Sequence, residues 1–149
     1  MANAFTQLHI HFVFGVLFRD RILEPDHSVE LQKFMTSVIQ ERKHKMLIIN
    51  NVPDHLHMLV GFNPIDSPSD IVRDVKAISS KFINKKSWMK FKFHWEDGYG
   101  AFSVSHREIS NVARYIENQQ EHHKTISFSE EFENLLRMHD IAFNRDYIF

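Results

Sequence analysis

The chain contains no cysteine, which excludes disulfides and thiolate metal sites and fits a reducing compartment, so a cytoplasmic location is the expectation. It also lacks any apolar run near the ~18 residues of a membrane-spanning helix, so no membrane partner is expected. The opening stretch Met1-Ala-Asn-Ala-Phe-Thr-Gln7 has neither a basic segment nor a small-residue cleavage site and does not resemble a secretory signal. Repeats, linkers and low-complexity tracts are missing, and 149 residues suit one domain spanning 1–149. Excess positive charge is missing too. A net charge of −1 argues against a nucleic-acid partner. Its distribution softens that objection: seven basic residues against one acid lie between Arg73 and Lys92, and seven acids against three Lys/Arg between Glu117 and Asp146.

Alternation in Leu8-His-Ile-His-Phe-Val-Phe14 predicts a strand, with Leu8, Ile10, Phe12 and Phe14 on one face and His9, His11 and Val13 on the other. Pro25-Asp26 breaks and caps a helix to about Lys43, with Val29, Phe34, Val38 and Ile39 among its apolar positions. Lys45 to Val52 and His55 to Phe62 form a hairpin about Pro53-Asp54. Ser67-Pro-Ser-Asp70 opens a helix to about Lys86. Gly98 to Ser105 is a fourth strand. Ser105-x-x-Glu108 and Ser127-x-x-Glu130 cap two further helices, the second ending near Met138. The order predicts an α+β, ferredoxin-like βαββαβ antiparallel sheet, strands 4-1-3-2, with additional C-terminal helices.

Two imidazoles two residues apart, His55 and His57, project from one face of the third strand, while Leu56, Met58 and Val60 fill the other. Such a pair is half of a metal site. About 60 residues on, Tyr115 and Gln119 stand four apart, on one side of a helix, so the Gln119 amide oxygen completes a His-His-Gln set and the phenol reaches the same ion's substrate. Softness fits zinc or manganese, and phosphate chemistry pulls toward Mg2+ or Mn2+. A phenol titrates near pH ~10, so its attack on a phosphodiester needs a cation's help. The product is a covalent phosphotyrosine, and the exchanged ester bond allows rejoining without ATP.

Other residues are less specific. His9 and His11 suit a structural or supporting role beside the site, and His122 and His123 read as solvated imidazoles at a helix end. Arg73, Lys76, Lys81, Lys85 and Lys86 are candidate DNA-phosphate contacts. Trp88, Phe91, Phe93 and Trp95, interleaved with Lys86, Lys90, Lys92 and His94, suit either base stacking or core packing.

In five ordered blocks the chain resembles the single-tyrosine HUH transposases of the insertion-sequence 200/605 type. These are His11-Phe-Val-Phe14 with Arg19, Asp54-His-Leu-His-Met-Leu-Val60, Lys76-Ala-Ile-Ser-Ser-Lys81, Gly98 to Ser105, and Tyr115-Ile-Glu-Asn-Gln-Gln-Glu-His-His123. The resemblance implies a homodimeric DNA transposase that recognises hairpin ends, cuts single-stranded DNA at the ends of a mobile element and forms a 5′-phosphotyrosine. By position it makes Tyr115 the nucleophile and His55, His57 and Gln119 the metal ligands. The near-neutral charge departs from the basic character expected of a DNA enzyme and bears on binding strength rather than chemistry. Two other functions compete. One is a domesticated hairpin-DNA-binding relative acting as a regulator or repeat-processing factor, against which the four intact site positions argue. The other is a two-histidine phosphoesterase, which needs Thr or Ser where His11 and His57 stand.

Overall fold

A computed structural model of the chain describes residues 4–19 and 23–148. Met1 to Asn3, part of the opening stretch read above, and the side chain of Arg19 lie outside that description. The elements are β1 (His9–Gly15), α1 (Pro25–Glu41), β2 (Lys45–Val52), β3 (His55–Gly61), α2 (Pro68–Lys85), β4 (Gly100–Ser103), α3 (Ile109–Glu117), α4 (Gln119–His122) and α5 (Phe128–Met138). The strands form an antiparallel sheet in the order β2-β3-β1-β4, as the βαββαβ element order predicts.

Strand alternation divides the molecule into two faces. On one, Phe12 and Phe14 of β1 and Leu56, Met58 and Val60 of β3 pack beneath Leu31, Met35 and Ile39 of α1 and Ile71, Val72 and Val75 of α2. Burying each such side chain contributes about 1.5–3 kcal/mol, so this layer dominates the stability of the fold. On the other, Val13 and Phe102 meet Phe128, Phe132, Leu135 and Leu136, and Leu59 meets Ile116. Here α3, α4 and α5 cover the sheet.

Ser67 caps α2 by accepting a hydrogen bond from the Asp70 amide, and Ser127 caps α5 in the same way with Glu130. Other local expectations are revised. The N-cap of α1 is Glu24, whose side chain makes no capping bond, and Asp26 lies within the first turn, where its charge suits the helix dipole. The buried stripe of α1 is Leu31, Met35, Val38 and Ile39, and Val29 falls off it, 62% exposed. Ser105 caps no α-helix through its side chain; a 3-10 turn, His106–Glu108, precedes α3. Phe93 and Trp95 belong to the core, with the Trp95 indole donating to Ser79 Oγ at 2.9 Å, so they offer no stacking surface. Trp88 stacks on His27, and Phe91 stays exposed.

Candidate active site

The register of β3 against β1 sets Val13 opposite His57 and Gly15 opposite His55 on the face away from α1 and α2. Both histidine side chains are wholly buried. Their Nδ1 atoms are tied: His55 Nδ1 lies 2.7 Å from Asp54 Oδ1, and His57 Nδ1 lies 2.8 Å from His11 Nε2. The outward Nε2 atoms therefore aim at one place. Phe128 stacks on His55 with ring centroids 4.0 Å apart, and glycine at position 15 makes room for it, since a Cβ there would stand 2.6 Å from that ring.

That place holds Glu131, projecting from α5. Its Oε1 lies 3.1 Å from His55 Nε2, 3.0 Å from His57 Nε2 and 2.9 Å from His123 Nε2. Its Oε2 accepts hydrogen bonds from the Tyr115 hydroxyl and, at 2.9 Å, from Gln119 Nε2. Gln119 Oε1 is 3.3 Å from His55 Nε2. One carboxylate thus gathers groups from β3, α3, α4 and the turn after α4. Burial alone would raise its pKa, but the hydrogen bonds from His123, His55 and His57 outweigh burial and hold it far below the carboxylate range. Burial first, and then the Glu131 charge, push the Tyr115 phenol well above its usual value. Burial also lowers His57 and His11, whereas for His55 the bonds to Asp54 and Glu131 outweigh burial and raise it.

Asn50 of β2 anchors the segment bearing Tyr115 by donating to the carbonyls of Ile116 and Glu117 at the end of α3, at 2.8 and 3.2 Å. The helix breaks at Asn118, so Tyr115 and Gln119 sit on successive short helices rather than on one continuous helix, yet both still reach Glu131. Tyr115 is half-buried and opens into a cavity of about 630 Å3 whose walls include His11, Ser103, His122, Glu131 and His139.

All four residues singled out for chemistry, His55, His57, Tyr115 and Gln119, are brought together. The cationic set is placed elsewhere. Arg73, Lys76, Lys81 and Lys85 lie on α2 and Lys86 just beyond it, against the opposite face of the sheet. Arg73 pairs with Asp70 and Asp74, and Lys86 with Glu30 at 2.5 Å. Lys76 donates to the carbonyls of Glu96 and Gly98 and sits 5.4 Å from the Phe14 ring centroid. Lys81 and Lys85 are exposed. His123 is not a solvated helix-end imidazole: it is largely buried and bonds Glu131 through one nitrogen and the Ile126 carbonyl through the other.

The sequence reading missed Glu131 and Asp54. A signal for Glu131 existed, because it lies within the apolar stripe Phe128, Phe132, Leu135 and Leu136, where a carboxylate needs a partner. His55, His57, His123 and Glu131 each offer a ligating atom, all within 4.8 Å of one another. Buried imidazole and carboxylate donors at that spacing are compatible with a divalent cation.

Residues 4–119 match the family model for IS200-like transposases, which covers most of the chain. The chain belongs to that family. The ISDra2 transposase TnpA of Deinococcus radiodurans is 22% identical over 122 residues, covering 77% of this chain and 86% of that protein. A crystal structure of a candidate transposase from Deinococcus radiodurans R1 superposes with a TM-score of 0.64 at 20% identity, over 80% of this chain and 95% of the other. The structure of a REP-associated tyrosine transposase bound to a REP hairpin superposes with a TM-score of 0.61 at 13% identity, over 100% of this chain and 90% of the other. The family model ends at Gln119, so His123 and Glu131 of this IS200-like transposase lie beyond it.

Proposed function

We propose that this IS200-like transposase cuts and rejoins single-stranded DNA at the ends of a mobile element through attack by Tyr115. The observation carrying this reading is the convergence of the Tyr115 hydroxyl and the two β3 histidines on one buried carboxylate. His55, His57 and Gln119 would hold a divalent cation, Mg2+ or Mn2+, which when bound supplies positive charge to favour phenolate and polarise the phosphate. The donor chemistry fits: two imidazole nitrogens and an amide oxygen point inward, and Asp54 and His11 fix the histidines from behind.

In the cutting step Tyr115 Oη forms a bond to phosphorus and the bond to the 3′ oxygen breaks. DNA is left with a free 3′ hydroxyl and a 5′ phosphate esterified to tyrosine. Glu131 Oε2, which already accepts the Tyr115 hydroxyl, holds the phenol at the site, while the phenol proton passes to water and the departing 3′ oxygen takes a proton from water. Reversing the step with a different 3′ hydroxyl rejoins the strand.

Hairpin ends and a homodimer belong to the same proposal. The bond between Tyr115 and Glu131 of one chain supports a tyrosine supplied in cis, so that a dimer would pair two complete sites. Lys81 and Lys85, exposed on α2, are the cations of the set best placed to contact hairpin phosphate. A second reading, a domesticated hairpin-binding, repeat-processing relative, is favoured by the fold correspondence with the hairpin-bound transposase extending over the whole chain, α5 included.

The test uses labelled single-stranded DNA carrying the flanking sequence of the gene. Wild type is expected to form a covalent protein–DNA adduct that EDTA abolishes and Tyr115→Phe eliminates. An adduct persisting in Tyr115→Phe sinks the nucleophile assignment. Cleavage with no joining to a second strand favours the repeat-processing reading.

A further inference from the structure

We infer that the Glu131 carboxylate is a ligand of the same cation as His55 and His57, with His123 as a further donor, so that the C-terminal helix supplies part of the metal site. This rests on the cation site proposed above and deepens it.

Three imidazole Nε2 atoms, from His55, His57 and His123, converge within 2.9–3.1 Å of the single oxygen Glu131 Oε1. Each of these rings has its far nitrogen occupied, by Asp54, by His11 and by the Ile126 carbonyl. Ligating histidines are usually held in this way, because the outer partner fixes the ring and leaves the inner nitrogen for the metal. The alternative is a buried ion cluster that merely docks α5. Docking is already provided by Phe128, Phe132, Leu135 and Leu136, and burying charged groups for stability alone is commonly no better than packing apolar side chains of the same volume.

The donor set also narrows the metal. Three imidazoles and one carboxylate suit a transition cation such as Mn2+ better than Mg2+, which prefers oxygen ligands and retains its water. The two oxygens of Glu131 then divide their work, Oε1 facing the cation and Oε2 facing Tyr115 and Gln119. Gln119, through its amide nitrogen, also orients the carboxylate.

The experiment titrates MnCl2 into DNA-free protein and follows free Mn2+ by electron paramagnetic resonance, with circular dichroism and thermal melting as folding controls. Wild type is expected to bind one Mn2+ per chain, more tightly than it binds Mg2+ in competition. Glu131→Gln and His123→Ala, still folded, should each lose at least the ~10–100-fold in affinity typical of losing an outer partner. If Glu131→Gln binds like wild type while His57→Ala does not, this inference is wrong and the cation site of the proposed function stands. If His57→Ala also binds like wild type, the underlying site is wrong. Should Glu131→Gln fail to fold, a crystal structure of the wild-type protein with Mn2+ decides. An anomalous peak at ligating distance from the Glu131 carboxylate supports the inference, and a peak held by other residues overturns it.

Discussion

His11 and His57 meet nitrogen to nitrogen across adjacent strands, His11 Nε2 lying 2.8 Å from His57 Nδ1 with the rings stacked at 5.0 Å. Because β1 and β3 are hydrogen-bonded neighbours, that contact is fixed by backbone pairing rather than by mobile side chains. It leaves His57 Nε2 directed at Glu131. His11→Ala is expected to weaken Mn2+ affinity and single-turnover cleavage by about 10–100-fold. His11→Gln, whose amide oxygen can still accept from His57 Nδ1–H, should recover part of both. Equal affinity in all three proteins would show that His57 needs no support.

The position of Tyr115 on Glu131 of its own chain makes a clear forecast for mixed subunits. Co-refolded Tyr115→Phe and His57→Ala proteins should form heterodimers in which every site carries one defect, so no cleavage returns. Recovery approaching one working site per heterodimer would establish supply in trans.

Lys76 and the exposed pair Lys81 and Lys85 should separate in their effects. Lys76 donates to two partly exposed backbone carbonyls, so Lys76→Ala should lower the melting temperature modestly, in line with the ~0.5–1.5 kcal/mol net worth of a typical hydrogen bond. Replacing Lys81 and Lys85 together by Ala should leave melting unchanged and flatten the salt dependence of hairpin binding by about one to two units. A slope equal to that of wild type would assign both lysines to solvated surface.

Acid stability should be governed in part by Asp66. Burial pushes its carboxyl up, but bonds from His44, the Ser67 amide and Arg42 outweigh burial and lower it below the usual value. A carboxylate depressed in the folded state adds stability above its unfolded pKa of about 3.9, and that contribution disappears as pH falls through the folded value. Urea unfolding of wild type should therefore lose ground below about pH 4 more steeply than that of Asp66→Asn. Parallel curves would remove Asp66 from the acid response.

Much of this architecture was legible because strands and helices impose short repeats. Alternation placed His55 and His57 opposite Leu56, Met58 and Val60, and the motifs at Ser67 and Ser127 located two helix starts. What escaped depends on docking. Glu130 and Glu131 are adjacent acids in the first turn of α5, where either suits the helix dipole, and only the angle at which α5 meets the sheet buries one and exposes the other. Asp54 reads as a turn residue until its carboxylate is seen against His55. Lys76 carries the same charge as Lys81, yet one faces the carbonyls of Glu96 and Gly98 and the other faces solvent.

The two-residue turn between β2 and β3 is the point at which this molecule tolerates length change least. Val52 faces His55 across it, and from there the ladder runs back through Asn50 and His57 to Ile48 and Leu59. Side chains alternate with a period of two, so one residue inserted at Pro53 that shifted β3 by one step would turn both imidazoles into the apolar layer under α1 and α2 and swing Leu56 and Met58 toward Tyr115. Chemistry and folding would fail together. An insertion at Asn63 to Asp66, after β3 has ended, would leave that pairing intact, so natural length variation in relatives that retain the chemistry should collect there and spare the hairpin.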